Sequence, residues 1–443
     1  MKINKLKIKN FRNFKEYEIS FEDKLTVLVA NNSAGKTSML DAIAIAFSPY
    51  IGSFPLGKNK NFKSSDASIL KEFSEPLYPI ELEADFTFEN NSHHIYRKLT
   101  SKSSSTTTVD TKPLQNYAKK IYKHLTQENS TDNIDLPIVA YYGTARLWKN
   151  LQVTKSTKES KARSYGYHDC LNPASNYREF EKWFIDCSLA EYNEIIKKVQ
   201  SGKNFDSTDM MTSNTILLKN IRDSINIALK HIEYKDIRYD ADFSSVVIEH
   251  DLYGVLPVEL LSDGVKSMLA MVADISYRCS KLNPHFNNAS ASTKGVVLID
   301  EVDMHLHPSW QQTVLNDLLK IFPLIQFIVT THSPQVLSTV NQKDIRVIDA
   351  SKKSASFPFV NPYGKQSIVA LEDIMNVSSV PSKNIVEEVG ILDEYMKIIN
   401  SGDINNISLS TMRNKLNKIY GEDYVQLKIA DMIINKYKAT SDK

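Results

Sequence analysis

The sequence predicts an α/β protein with a mixed central sheet, antiparallel N-terminal strands, an inserted helical lobe and a C-terminal helical module. Three observations point there. Apolar residues alternate through the first hundred positions, at Leu6 and Ile8, at Tyr17, Ile19 and Phe21, and at Ile80, Leu82, Ala84, Phe86 and Phe88. That period of two marks half-buried, antiparallel strands. Short, mostly apolar runs at 25–30 (LTVLVA), 295–300 (GVVLID) and 325–332 (IQFIVTTH) read as buried strands, the last two as parallel ones. Apolar spacings of three and four mark helices between and after them.

The elements follow in chain order. The run at 25–30 ends in NNSAG before a helical pattern from Lys36 to Phe47, with Met39, Ile43, Ala46 and Phe47 on one face and Pro49 expected to end it. A serine and threonine run at 101–108 reads as a solvated turn. From about 114 to 232 the pattern is mostly helical, interrupted by the apolar strand LPIVAYYG at 136–143. Strand patterns return at 237–248, followed by a helix whose Val265, Met268, Leu269, Val272, Ile275 and Cys279 share a face. Near the C-terminus Ile385, Val389, Leu392, Met396 and Ile399 form a helical stripe ending at Ser401-Gly402. Met412, Leu416 and Ile419, then Val425, Ile429, Met432 and Ile433, predict two more helices.

Composition narrows the class. The 443 residues are 42% hydrophobic and 24% charged, which excludes disordered, collagen-like and disulfide-scaffold chains. With 54 basic and 52 acidic residues the net charge is +2, so any nucleic-acid contact must be a local patch. No apolar run approaches the roughly 20 residues that span a bilayer, so no membrane segment is expected. The opening MKINKLKIKNFRNF lacks the apolar stretch of a signal peptide, and a cytoplasmic location is expected. Cys170, Cys187 and Cys279 match neither a disulfide framework nor zinc-ligand spacing and read as ordinary thiols.

Four motifs carry chemistry. Residues 30–37 (ANNSAGKT) supply a phosphate loop: a turn through Asn31, Asn32, Ser33, Ala34 and Gly35, a lysine, Lys36, for the β- and γ-phosphates, and a hydroxyl, Thr37, for Mg²⁺, with Ser38 behind it on the helix. The helix N-terminus then faces the anion. Ala30 stands where the usual first glycine would be. The strand at 296–301 ends in Asp300, placed to hold Mg²⁺, and Glu301, placed to polarise the attacking water; a plain helix N-terminus is the alternative for two adjacent acids. The next buried strand ends in His332, either a contact for the γ-phosphate or the water, or a structural histidine. Finally Ser262, Asp263 and Gly264 precede a helix, 38 residues ahead of Asp300.

This last segment, ELLSDGVK at 259–266, resembles the LSGGQ-type signature of the ABC ATPase superfamily, with Asp263 at the first glycine position and Val265 at the glutamine position. The order phosphate loop, signature, acidic strand, histidine is that superfamily's order. The resemblance implies an ATPase using ATP and Mg²⁺, with Ser262 and Gly264 gripping nucleotide held by a second protomer in a head-to-tail dimer or higher oligomer. The opening IKNFRNF is similar to RecF-like, SMC-like and OLD-like ATPases, which implies that Arg12 lies near the nucleotide. DEVDMHLHP at 300–308 resembles the soluble members of the same group; a metal cluster of Asp300, Asp303, His305 and His307 is the bland alternative, against which Pro308 signals a helix start. Segments 136–148, 163–171 and 369–381 are similar to the PtuA family, the ATPases of Septu and some retron anti-phage systems.

The PtuA resemblance implies a partner HNH nuclease and, in the retron form, a reverse transcriptase with its branched DNA. The expected organisation is an N-terminal ATPase lobe at 1–110, a mostly helical insertion at 111–235, a C-terminal ATPase lobe at 236–360 and a helical docking module at 361–443. No sustained heptads predict the long arm of a chromosome-structuring ATPase. The 111 residues after His332 hold no DxD pair, so a nuclease domain of the OLD kind is not expected. The stretch 149–163 carries five basic residues against Glu159, with Tyr165 and Tyr167 beyond it, and is a candidate nucleic-acid contact or a solvated loop. No glutamine follows the strand ending at Tyr142 closely; Gln152 is the remaining candidate for sensing Mg²⁺. The competing reading is a DNA-repair ATPase of the RecF or SMC kind that binds DNA; a transport subunit is more distant.

Overall fold

The alternation at the N-terminus is realised as an antiparallel sheet. In the computed structural model, which describes residues 1–30, 35–69, 75–127, 133–144, 162–173, 177–200, 213–379 and 387–441, β1 (Lys2–Phe11) turns through Arg12 and Asn13 into β2 (Phe14–Ser20). β3 (Leu25–Val29) leaves for a second sheet, and β4 (Ile80–Phe88) and β5 (Asn91–Leu99) complete the first in the order β2-β1-β4-β5. All five apolar positions of β4 are buried. Phe86 among them meets Phe47 edge-on, ring centroids 4.9 Å apart.

The second sheet is wholly parallel. β6 (Ile138–Tyr142) forms one edge of it; β7 (Tyr234–Asp240), β8 (Ser245–His250) and β9 (Gly254–Pro257) form a separate antiparallel sheet. β10 (Gly295–Ile299), β11 (Ile325–Thr330) and β12 (Ile345–Val347) then complete the order β12-β3-β11-β10-β6. Every residue of β3, β6, β10 and β11 is buried, which is why these strands are mostly apolar runs. One polar side chain inside, Gln326, clamps the two sheets: its Oε1 accepts from the Ile3 amide at 3.0 Å while its Nε2 donates to the carbonyls of Ile3 and Glu22, both at 2.8 Å. The expected helical stretch 111–235 therefore contains, in β6, a strand of the central sheet.

The helix after β3 corrects one expectation. α1 (Lys36–Ile51) continues past Pro49 to Ile51. Proline lacks the N–H that would satisfy the carbonyl four residues back, a loss that normally breaks a helix. Here Arg97, 1% exposed on β5, donates from Nη1 to the Ile45 carbonyl at 2.6 Å. The same guanidinium reaches Lys60 O at 3.2 Å and Asn61 Oδ1 at 2.6 Å, and burial pulls its pKa down to about 10.

α2 (Lys112–Leu125), α3 (Tyr177–Gln200), α4 (Ser213–Leu229), α5 (Asp263–Leu282) and α6 (Val314–Ile321) are the other longer helices of the first of two units, Met1–Ala370. The second unit, Leu371–Lys443, contains α7 (Glu387–Asn400), α8 (Ser408–Tyr420) and α9 (Val425–Ser441). These enclose their own core of Leu392, Tyr395, Ile399, Leu409, Leu416, Leu427 and Ala430. Arg413 bridges it with two parallel bonds to Asp431, at 2.7 and 2.8 Å. No helix among the described residues is long and apolar enough to cross a membrane. Burial pushes the Cys170 and Cys279 thiols up to about 12, which keeps both protonated at neutral pH.

Candidate active site

The predicted chemistry gathers at the carboxyl ends of β3, β11 and β10, three adjacent parallel strands. Gly35 caps α1 with φ +99°, a conformation that L side chains rarely adopt, and a Cβ there would stand 2.6 Å from the Phe14 ring. Lys36, 7% exposed, turns its ammonium back to the Ala30 carbonyl at 2.8 Å. Burial lowers its pKa, and the carboxylates of Asp300, Glu301 and Asp303 oppose that shift.

Thr37 and Asp300, 263 residues apart, are joined directly: Thr37 Oγ1 donates to Asp300 Oδ2 at 2.7 Å. The other oxygen, Oδ1, accepts from Thr330 Oγ1 at 2.6 Å, and the Glu301 amide donates to that same hydroxyl at 2.7 Å. Asp300 is 2% exposed, so its carboxylate is both desolvated and aimed. A hydroxyl and a carboxylate converging at hydrogen-bond distance are the hard oxygen ligands that Mg²⁺ takes beside phosphate, and the pair fits that ion. Glu301 itself sits at φ +49°, and the Asp300 amide donates to Tyr142 O at 2.7 Å, which ties the acidic turn to β6.

Asp303 organises the histidine end. Its Oδ1 accepts from Thr331 Oγ1 at 2.6 Å and from the His332 amide at 3.4 Å, leaving the half-buried His332 at the mouth of β11. Among the described residues no three carboxylate, histidine or cysteine groups come together to hold a metal, so the alternative cluster of Asp300, Asp303, His305 and His307 is not formed. His307 instead caps the short helix Pro308–Gln311, its Nδ1 accepting from the Ser309 amide at 3.3 Å.

Arg12 reaches the start of α1 from the β1–β2 turn. It donates from Nε to Asp66 at 2.9 Å and from Nη1 to Asp41 at 2.7 Å and Ser38 Oγ at 3.5 Å. Burial works against its charge, yet Asp41 and Asp66 outweigh it and raise the pKa. Lys60 holds the other Asp41 oxygen at 2.6 Å.

The signature stands apart from these groups. Ser262 is the N-cap of α5 and makes no side-chain capping bond, and Asp263 and Gly264 open the helix. A Cβ on Gly264 would meet the His305 carbonyl at 2.3 Å, so the α5 N-terminus and the 301–307 turn are pressed together there. Ser262, Gly264 and Val265 line a cleft of about 620 Å³ with His231, Tyr234, His250 and Trp310 among its other walls. Among the described residues no hydrogen bond or ion pair joins Ser262, Asp263 or Gly264 to Lys36 or Thr37.

Asn31, Asn32, Ser33, Ala34, Gln152 and the basic positions 149–161 lie outside the described residues. Sequence reasoning missed Thr330, Asp41 and Asp66. A threonine pair closing a buried strand beside a DE dipeptide was the available signal for the first; nothing local marked the other two.

The family described as AAA ATPase domain matches residues 1–337. The chain is 28% identical to the "Retron Vc95 probable ATPase" of Vibrio cholerae serotype O1 biovar El Tor, over 91% of this chain and 84% of that protein. It is 26% identical to the "Retron Ec83 probable ATPase" of Escherichia coli, over 97% and 86%. To the Septu protein PtuA of Bacillus thuringiensis it is 23% identical, over 87% of each chain. A solved SMC head domain from Thermotoga maritima is similar at 14% identity and a TM-score of 0.43, covering 82% of this chain and 97% of that one.

Proposed function

The chain belongs to the AAA ATPase domain family and is an ATPase, and from that premise we propose that it is the regulatory ATPase of a prokaryotic anti-phage defence complex of the retron or Septu kind, controlling a separate HNH nuclease. The observation that carries the ATPase part of the reading is the bonded set Thr37, Asp300, Thr330 and Glu301 at the strand ends. Its setting is a chain that aligns nearly end to end with proteins named for those systems.

In this reading Lys36 leaves the Ala30 carbonyl for the β- and γ-phosphate oxygens of ATP, exchanging a neutral acceptor for an anion. Thr37 and Asp300 would hold Mg²⁺, which would neutralise charge developing on the phosphates. Glu301, whose backbone is anchored by Thr330, orients and polarises the attacking water, and His332 stands beside the γ-phosphate. Arg12 supplies a further cation near the nucleotide. Ser262, with the α5 N-terminus behind it, is offered to nucleotide on a second copy of the chain, which accounts for its separation from Lys36. Two nucleotides then join two protomers, and hydrolysis loosens them. In the retron form a reverse transcriptase with its branched DNA joins the complex.

The test is to tag the chain in its native host, isolate it gently with MgATP and identify its companions by mass spectrometry. An HNH nuclease, with or without a reverse transcriptase, is the expected companion. Recombination proteins, or DNA alone, would transfer the assignment to a repair ATPase of the RecF or SMC kind.

A further inference from the structure

Residues 343–365, which include the edge strand β12 of the parallel sheet, form an arm of the first unit that turns its aromatic rings outward. Ser356 exchanges backbone bonds with Val347 of β12 at 2.8 and 3.1 Å. Gln342 donates from Nε2 to Pro358 O at 2.7 Å, and its amide and that of Tyr363 both donate to Asn361 Oδ1, at 3.1 and 3.2 Å. The Gly364 amide closes the arm on Ser338 O at 2.9 Å. Within this frame Pro358 and Pro362 are buried while Phe357, Phe359 and Tyr363 are 54%, 101% and 56% exposed. Folding ordinarily does the reverse, burying aromatics and exposing prolines. The Arg346 guanidinium, itself buried against Glu22 at 2.6 Å, lies 4.2 Å over the Phe357 ring and stiffens it.

The arm is also basic. Lys343, Lys352, Lys353 and Lys365 are exposed and outnumber the arm's two acids, Asp344 and Asp349, the second of which lies 3.8 Å from Lys352. We propose that this arm is a platform for single-stranded nucleic acid, with bases stacking on Phe359 and Tyr363 and phosphates meeting Lys352, Lys353 and Lys365. Exposed rings on an arm that also carries lysines suit unpaired bases, whose faces are free, and not a duplex, whose faces are already stacked. A protein partner fits less well, because lysines are depleted where protein interfaces are driest. The inference goes beyond the ATPase reading and does not depend on it.

Fluorescence anisotropy of the full-length chain tests it, with fluorescein-labelled oligothymidylate, an oligouridylate and a mixed-sequence duplex as probes. Single strands should bind more tightly than the duplex. The F359A/Y363A variant should lose about tenfold or more in affinity, and K352E/K353E should flatten the dependence of affinity on salt. Because all four positions are exposed and outside the nucleotide site, basal ATPase activity without nucleic acid should stay at the parent level, which reports intact folding. The F359W variant adds a direct readout, quenching of its fluorescence when a base stacks on the ring. Absence of single-strand binding, or parent-level binding by F359A/Y363A with an unquenched F359W, would overturn the proposal, and so would an arm that captures a protein but no oligonucleotide.

Discussion

Glu301 shows how backbone and side chain can be assigned separate tasks. Its amide is fixed by the Thr330 hydroxyl at 2.7 Å, a bond that does not involve the carboxylate. Replacing the acid by its amide therefore keeps the turn, the Asp300 geometry and the Lys36 environment while removing the charge that polarises water. Glu301→Gln should lower turnover by about 10² to 10⁴ fold, leave nucleotide affinity within a few fold and accumulate nucleotide-bound dimers. Phosphate release and a fluorescent-nucleotide titration measure the two quantities, and turnover equal to the parent would remove Glu301 from this role. Much of the site was legible at this scale, because Gly35, Lys36, Thr37, Asp300 and Glu301 lie in contiguous motifs whose chemistry is local. Thr330, Asp41 and Asp66 were not, because each acts on a residue distant in sequence: Thr330 on Asp300, and the two acids on Arg12.

At the scale of elements, period and apolar continuity marked most of the strands but not β5, β9 or β12, which no predicted run covered. β4 buries every second residue and β10 buries all of its residues, and the sequence pattern is the same. What local pattern does not contain is pairing. β6 reads as an interruption in a helical stretch, yet it forms an edge of the parallel sheet, in register with β10 from Ile138 opposite Gly295 to Tyr142 opposite Ile299. Pro49 misled for the same reason, since the donor that rescues the Ile45 carbonyl comes from Arg97, 52 residues away. The α5 N-terminus offers a sharper test of packing between elements. An added Cβ at Gly264 would lie 2.3 Å from the His305 backbone oxygen, and His305 already sits at φ +63°. Neither backbone yields easily, so Gly264→Ala should cost about 1 to 3 kcal/mol by overpacking and tilt Ser262 away from a facing nucleotide. Dimers formed with MgATP should be lost in size-exclusion chromatography while monomer nucleotide affinity holds. Parent-level dimers would show that the signature does not bridge protomers.

At the scale of the whole molecule, the chain's two units have separate means of stability. Residues Met1–Ala370 contain the parallel sheet and the nucleotide groups, whereas Leu371–Lys443 is built around the small core that includes Leu416, Tyr395 and Leu427. The helical spacing of apolar residues made that second core visible in the sequence, since Leu392, Ile399 and Leu416 belong to the predicted stripes. A core so small has little redundancy: Leu416 is fully buried, and truncating such a leucine removes transfer free energy and leaves a cavity that three short helices fill incompletely. Leu416→Ala should therefore destabilise the C-terminal unit by about 2 to 5 kcal/mol. Hydrogen exchange should speed up across α7, α8 and α9 and stay unchanged in β3, β10 and β11, with nucleotide affinity at the parent level. If exchange rose equally in the parallel sheet, the two units would be one cooperative body, and a partner bound to either would act on the nucleotide site through global stability. Exchange confined to α7–α9 would instead give the C-terminal unit its own folding equilibrium, which a bound partner could shift without unfolding the ATPase.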